Sequence, residues 1–208
     1  MDAMLCRIDM HTGDLDAADA WYREKAPREP THLNVMRRYQ YLTQAMVELE
    51  DGRPDTVQLT LAPLEPYVQN CARIIDGIHL NVLTAIALYR KKDERWRERL
   101  TAALDAAAEY RFIRTVSVYG TAVLPLLEVL DWDGDKAWRK RLMAAVRTQA
   151  AFYPHFLEPR LAPGEELTPT ELQILHLLCA DKSNAEIAQI MDVKPVSYTH
   201  LTLPTNSL

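Results

Sequence analysis

Glycine is scarce in this chain, with six in 208 residues. Ala, Leu, Glu and Arg are abundant instead, and these residues lose little rotamer freedom in a helix. The composition therefore predicts an all-α protein. Cysteine is as sparse: Cys6, Cys71 and Cys179 are far apart and odd in number, and no C-x-x-C occurs. That suggests neither a disulfide framework nor a zinc knot and reads as structural thiols in a reducing cytoplasm. No apolar run reaches membrane-spanning length, and the N-terminus carries Asp2 and Asp9 instead of a basic-then-apolar signal. The expectation is a cytoplasmic protein with no membrane partner. Positive charge is also lacking. A net charge of −5 argues that most of the chain does not touch nucleic acid, since binding there works by neutralising phosphates.

Catalytic patterns are missing as well. His11, His32, His79, His155, His176 and His200 form neither H-E-x-x-H nor a Cys/His cluster, and there is no G-x-S-x-G. The reading is no catalytic residues, no metal, no cofactor and no enzyme. The run Arg90-Lys91-Lys92 with Arg95, Arg97 and Arg99 is broken by Asp93, Glu94 and Glu98, so it reads as a solvated face. Trp21, Trp96, Trp132 and Trp138 fall mostly at helix positions and read as packing anchors.

What the chain does have is periodicity. Turn signals recur at Gly13-Asp14, Gly52-Arg53-Pro54, Lys91-Lys92-Asp93 and Asp133-Gly134-Asp135, spaced 39, 39 and 43 residues apart. Each precedes an amphipathic stretch: Leu15-Ala18-Trp21-Tyr22, Val57-Leu59-Leu61-Leu64, Trp96-Leu100-Ala103-Leu104 and Trp138-Leu142-Ala145-Val146. Their spacing puts the apolar residues of each on one helix face. Between them, Met36 to Leu49, Ile74 to Tyr89 and Phe112 to Leu130 are apolar over a wider arc, as in helices packed on both sides. Pro63, Pro66 and Pro125 should kink or end helices. A helix pair that recurs every ~40 residues suggests stacked hairpins in an α-solenoid, longer than the ~34-residue tetratricopeptide (TPR) period. An irregular helical bundle is the alternative. The expected layout is a TPR-like repeat domain over 1–151, a linker over 152–166 marked by Pro154, Pro159, Pro163 and Gly164, and a small domain over 167–195.

That small domain begins with Thr168 as an N-cap, Pro169 at the first helical position and Glu171 three residues on, a capping box. Leu172, Leu175, Leu178 and Cys179 form its apolar stripe. Ala180-Asp181-Lys182 is a break. Ser183 is a second N-cap with Glu186 again three residues on. Ile187, Ala188 and Met191 form a short second stripe, and Val193 plugs the core. Two short capped helices crossing at the small Ala188 make helix-turn-helix geometry. The string LTPTELQILHLL…SNAEIAQIMDV resembles the LuxR/FixJ-type DNA-binding domain. Leu167, Thr168, Glu171, Leu175, Leu178, Ser183, Asn184, Glu186, Ile187 and Ala188 match its pattern. Upstream, Arg111-Phe112-Ile113 and Gly120 resemble the last repeats of MalT-like regulators. There, repeats that sense a signal precede this domain, and an ATPase module precedes the repeats. No G-x-x-x-x-G-K-[ST] occurs here.

The resemblance implies a transcriptional regulator. Its DNA partner would be held by Thr168, Ser183, Asn184 and Lys194 at phosphates, on a core of Leu172, Leu175, Leu178, Ile187, Ala188 and Val193. An unknown effector or protein would bind the repeats, and a homo-oligomer would bind a two-part site. The pattern departs from the family after Lys194. The expected Thr-Val-Lys-x-His recognition helix is replaced by Pro195 to Leu208, which holds Thr199-His200-Leu201 and Pro204 but no Lys or Arg. Residues 165–208 carry six acidic against two basic residues, a net charge of −4. The tail 196–208 therefore reads as non-native or disordered, the chain as a regulator fragment with an incomplete reader, and its own DNA binding as weak or absent. The competing function is a helical-repeat scaffold for protein–protein interaction.

Overall fold

The computed structural model describes residues 2–28, 34–160, 170, 173–174, 177 and 182–191. It divides into two compact units, Met1–Arg160 and Leu161–Leu208. Among the described residues there is no strand, so the all-α expectation holds.

The first unit contains α1 (Asp2–Thr12), α2 (Leu15–Lys25), α3 (Arg38–Glu50), α4 (Pro54–Leu61), α5 (Leu64–Asn70), α6 (Ile74–Arg90), α7 (Trp96–Glu109), α8 (Arg114–Ser117), α9 (Gly120–Val129) and α10 (Lys136–Phe152). The four turn signals each fall at a helix break. Gly52 follows α3 in the left-handed region, φ +67°, where a side chain would strain the backbone. Asp14 and Asp135 cap α2 and α10 through their carboxylates. Helices joined by these turns pack against each other as hairpins: α1 with α2, α3 with α4, α6 with α7, and α9 with α10.

The centre is α6. It packs against α3, α4, α5, α7, α8 and α9, and residues from Val82 to Leu88 are all buried. Its apolar arc is wide because helices lie on several of its sides. All four tryptophans are buried. Leu59 departs from the expected stripe of α4 and is 71% exposed, while Val57 and Leu61 are buried.

Two differences from the sequence reading have physical causes. The stretch Phe112 to Leu130 is two helices, not one. The chain turns at Val118 and Tyr119, and Gly120 takes φ +40°. A Cβ on Gly120 would lie 3.3 Å from the backbone nitrogen of Ala150 on α10, so this position lets α9 and α10 approach closely. The basic run is also not uniformly solvated. Lys91, Arg95, Arg97 and Arg99 form surface ion pairs with Asp55, Asp93, Glu94 and Glu65, but Arg90 turns inward. It donates to the carbonyls of Leu49, at 2.6 Å, and Leu157, and burial pulls its guanidinium down to about 10.

The stretch 153–160, read from its prolines as the start of a linker, is a strap folded onto the first unit. Phe156 and Leu157 are buried. His11 stacks on Phe156 at 3.8 Å, and Thr121 donates to the Phe156 carbonyl at 2.9 Å. Arg160 makes a bidentate pair with Asp19 at 2.7 and 3.0 Å, and its backbone N–H donates to the Glu50 carbonyl at 2.8 Å. The prolines mark an end of helix correctly, but a helix-free segment with two buried apolar side chains is still part of a core.

Candidate nucleic-acid interface

The second unit shows the helix-turn-helix partly. Residues 170, 173, 174 and 177 are helical. The backbone N–H of Lys182 reaches back to the Leu177 carbonyl at 3.1 Å and closes the turn. A second helix, α11 (Asn184–Ile190), follows.

The start of α11 is fixed by Ser183, which sits in extended backbone with φ −69° and ψ 156°. Its hydroxyl accepts from the Glu186 backbone N–H at 3.4 Å and donates to the Glu186 carboxylate at 2.7 Å; that carboxylate accepts from the Ser183 backbone N–H at 2.9 Å. The capping box read from the sequence is therefore formed on both sides. The same bonds, with Lys182 nearby at 3.6 Å, hold the Glu186 carboxyl below its usual range. Of the three stripe positions expected, Ile187 and Ala188 are buried, while Met191 caps the end of α11 and is only half-buried. Ile174 is buried too, a position outside the expected stripe of Leu172, Leu175, Leu178 and Cys179. Its β-branched apolar side chain was the available signal.

Residues 165–197 match the family model of bacterial regulatory proteins, luxR family. No curated protein and no solved structure matches the chain. The luxR-family segment covers the capping box and α11, and it points to a DNA-binding transcriptional regulator and away from an enzyme. Among the described residues no group of three or more His, Cys, Asp or Glu is placed to hold a metal. No described helix is long and apolar enough to cross a membrane.

Of the expected phosphate contacts, Ser183 is described in full. Its hydroxyl is engaged on both sides by the cap, and a carboxylate stands 2.7 Å away. That arrangement orients α11 and leaves the hydroxyl poorly placed to receive a phosphate of its own. Asn184 begins α11 in the luxR-family segment. Thr168, Leu172, Leu175, Leu178, Val193, Lys194 and the tail 196–208 lie outside the described residues.

Among the described residues, the titratable groups with the largest displacements lie in the first unit. Glu50, 1% exposed, is pushed up to about 7 by burial, with the Arg160 guanidinium and the Leu157 backbone N–H opposing. His79 is pulled down to about 4 by burial and by Arg7, and its Nδ1 lies 2.9 Å from the Tyr119 hydroxyl. Cys6 is buried and pushed up to about 12, an inert thiol. Cys71, expected to be packed, is exposed beyond the end of α5.

Proposed function

We propose that this protein is a transcriptional regulator of MalT-like organisation, in which a TPR-like helical repeat unit senses a signal and a luxR-type helix-turn-helix reads DNA. The observation that carries it is the family match over residues 165–197, together with the capping box at Ser183 and Glu186 inside it. The consecutive hairpins of the first unit and their ~40-residue recurrence support the repeat reading. The family match sets this function ahead of a protein-interaction scaffold.

In this account Thr168, Asn184 and Lys194 position phosphates, and Ser183 holds the cap that orients α11. Leu172, Leu175, Leu178, Ile187, Ala188 and Val193 make the core between the helices. Base reading falls to a third helix after Lys194, where side chains with amide or basic groups meet base edges. Residues 195–208 contain no Lys or Arg, so this chain binds DNA weakly and without selectivity. Paired copies would meet a two-part site.

The test is selection from a pool of random duplex DNA. It uses the 1–208 chain and a version in which residues 195–208 are replaced by a basic helix bearing Thr-Val-Lys-x-His. Enrichment of a two-part sequence by the second protein alone is expected. No enrichment by either, with both folded, overturns the regulator reading.

A further inference from the structure

The helix α10 breaks with the charge of the rest of the chain. It carries Lys136, Arg139, Lys140, Arg141 and Arg147 and no acidic residue, in a protein whose net charge is −5. Arg139 is accounted for by the fold. It donates to the carbonyls of Trp132, Leu127 and Leu130 at 3.4, 3.1 and 2.7 Å. The other four are exposed. Arg147 pairs with Glu128 at 3.3 Å, a surface contact of little worth. Among the described residues, Lys136, Lys140 and Arg141 have no carboxylate within 4.0 Å.

Helix stability does not explain these cations. A helix favours carboxylates in its first turn and is weakened by cations there, yet α10 opens on Lys136 with no acidic residue in that turn. The neighbouring Asp135 is occupied. Its carboxylate caps Ala137 and Trp138 and accepts from Arg111 at 2.5 Å. Lys136 and Lys140 are like charges at i, i+4, a destabilising pair. With no Asp or Glu in α10, none of its cations has a partner within the helix.

What the placement does make is a stripe. At 3.6 residues per turn, Lys136, Lys140 and Arg147 fall within about 40° of one another and span about 16 Å of helix axis. The exposed Ala137 and Ala144 lie beside them, so no bulky side chain stands in front. On the other side of the helix Trp138, Leu142 and Val146 are buried, so the cations project from an anchored rod. A groove of about 650 Å³ runs along the stripe. Such a face fits a partner with a regular row of anions. Duplex DNA presents a phosphate about every 3.4 Å of axis on each strand, or about five over the length of the stripe. Asp131 and Asp133 also line the groove and keep the attraction weak.

We propose that this face of α10 is a phosphate-binding surface for duplex DNA, supplying affinity that does not depend on sequence. By sequence it lies just upstream of the luxR-family segment, which starts at residue 165. The choice of DNA over an acidic protein rests on the regulator reading; the binding of a polyanion by the stripe does not.

The 1–208 chain is titrated against a short fluorescent duplex of arbitrary sequence by anisotropy, over a series of low salt concentrations. The stripe variant is Lys136→Gln, Lys140→Gln, Arg147→Gln. The control is Arg95→Gln, Arg97→Gln, Arg99→Gln, which removes the same charge from cations that are each paired. The unaltered chain is expected to show a log–log salt slope of about −2.7, from three phosphates at about −0.9 each. The stripe variant loses at least about tenfold in affinity and most of that slope, while its tryptophan-detected unfolding midpoint stays put. The control keeps the slope, and the charge-conserving variant Lys136→Arg, Lys140→Arg, Arg147→Lys binds like the unaltered chain. Equal binding by the stripe and control variants overturns the proposal. Poly-glutamate held through the stripe more tightly than the duplex, at matched salt, overturns DNA as the partner. In the version carrying the Thr-Val-Lys-x-His helix, neutralising the stripe weakens binding to all sequences alike. A version that selects its sequence without feeling the stripe fails this proposal alone. One that binds through the stripe yet never selects a sequence fails the regulator reading alone.

Discussion

Replacing Phe156 with alanine removes the side chain that ties the strap to the helices and leaves the helices' own sequences unaltered. Phe156 is 2% exposed and lies in the main core cluster. Its ring stacks on His11 at 3.8 Å. Removing a buried Phe side chain costs roughly 3–5 kcal/mol, the lost transfer energy plus the cavity left behind. Because residues 153–160 lie outside any helix, no gain in helix propensity offsets the loss. At this size each kcal/mol moves the midpoint by about 2–4 °C, so a drop of about 10 °C is expected. The assay is intrinsic fluorescence during thermal or urea unfolding. Trp21, Trp96, Trp132 and Trp138 all lie in the first unit, so the signal reports that unit by itself. Two truncations control it: a chain ending at Arg160 keeps the midpoint, and one ending at Tyr153 loses it. A Phe156→Ala cost below about 1 kcal/mol, within the range of a surface substitution, would show the strap to be a free linker and refute the reasoning.

Glu50 has a folded value of about 7 against an ordinary 4.5, so its stabilising contribution is complete below pH 4.5 and is lost as pH rises through about 7. At 1.36 kcal/mol per unit that is roughly 3 kcal/mol. Glu50→Gln is therefore expected to flatten urea midpoints measured between pH 5 and 8, and an unchanged slope would contradict it. His79 works in the opposite sense: its contribution is present above pH 6.5 and falls away as pH drops through about 4. Unfolding of His79→Leu should lose that acid dependence, whatever the variant costs at neutral pH. Ser183→Ala removes the cap of α11 and is worth about 1 kcal/mol; hydrogen exchange at residues 186–190 should speed up while the tryptophan-detected transition stays put. Gly120→Ala places a Cβ 3.3 Å from α10 backbone at φ +40°. It should destabilise the first unit by at least ~1 kcal/mol in the same fluorescence assay.

The helices were legible wherever a local rule decides. Gly52, Asp14 and Asp135 announce their turns because a left-handed φ or a carboxylate cap is a property of a few adjacent residues. Ser183 and Glu186 announce α11 for the same reason, and Ile187 and Ala188 follow from its period. What escaped depends on distant neighbours. Leu59 has the spacing of a core residue, yet it is exposed on the outer side of α4 while Val57 and Leu61 are buried. Glu48 and Glu50 look like surface carboxylates in an amphipathic helix, but α3 is packed on several sides and both are buried. Arg90 belongs by sequence to a charged run, while its partners Leu49 and Leu157 are 41 and 67 residues away. The strap carries prolines, the usual mark of a linker. Its burial depends on α1 and α9, whose faces no local pattern ties to residue 156.

The most direct test of the regulator account is the salt dependence of duplex DNA binding, followed by fluorescence anisotropy. It compares the 1–208 chain with the version carrying a basic Thr-Val-Lys-x-His helix in place of residues 195–208. The account predicts tight, sequence-selective binding for the second protein, with affinity falling steeply as salt rises because several phosphates are neutralised. For the first it predicts only weak binding that does not distinguish sequences. Tight, selective binding by the unaltered 1–208 chain would contradict the account, because the DNA-reading surface would then lie outside the helix that follows Lys194.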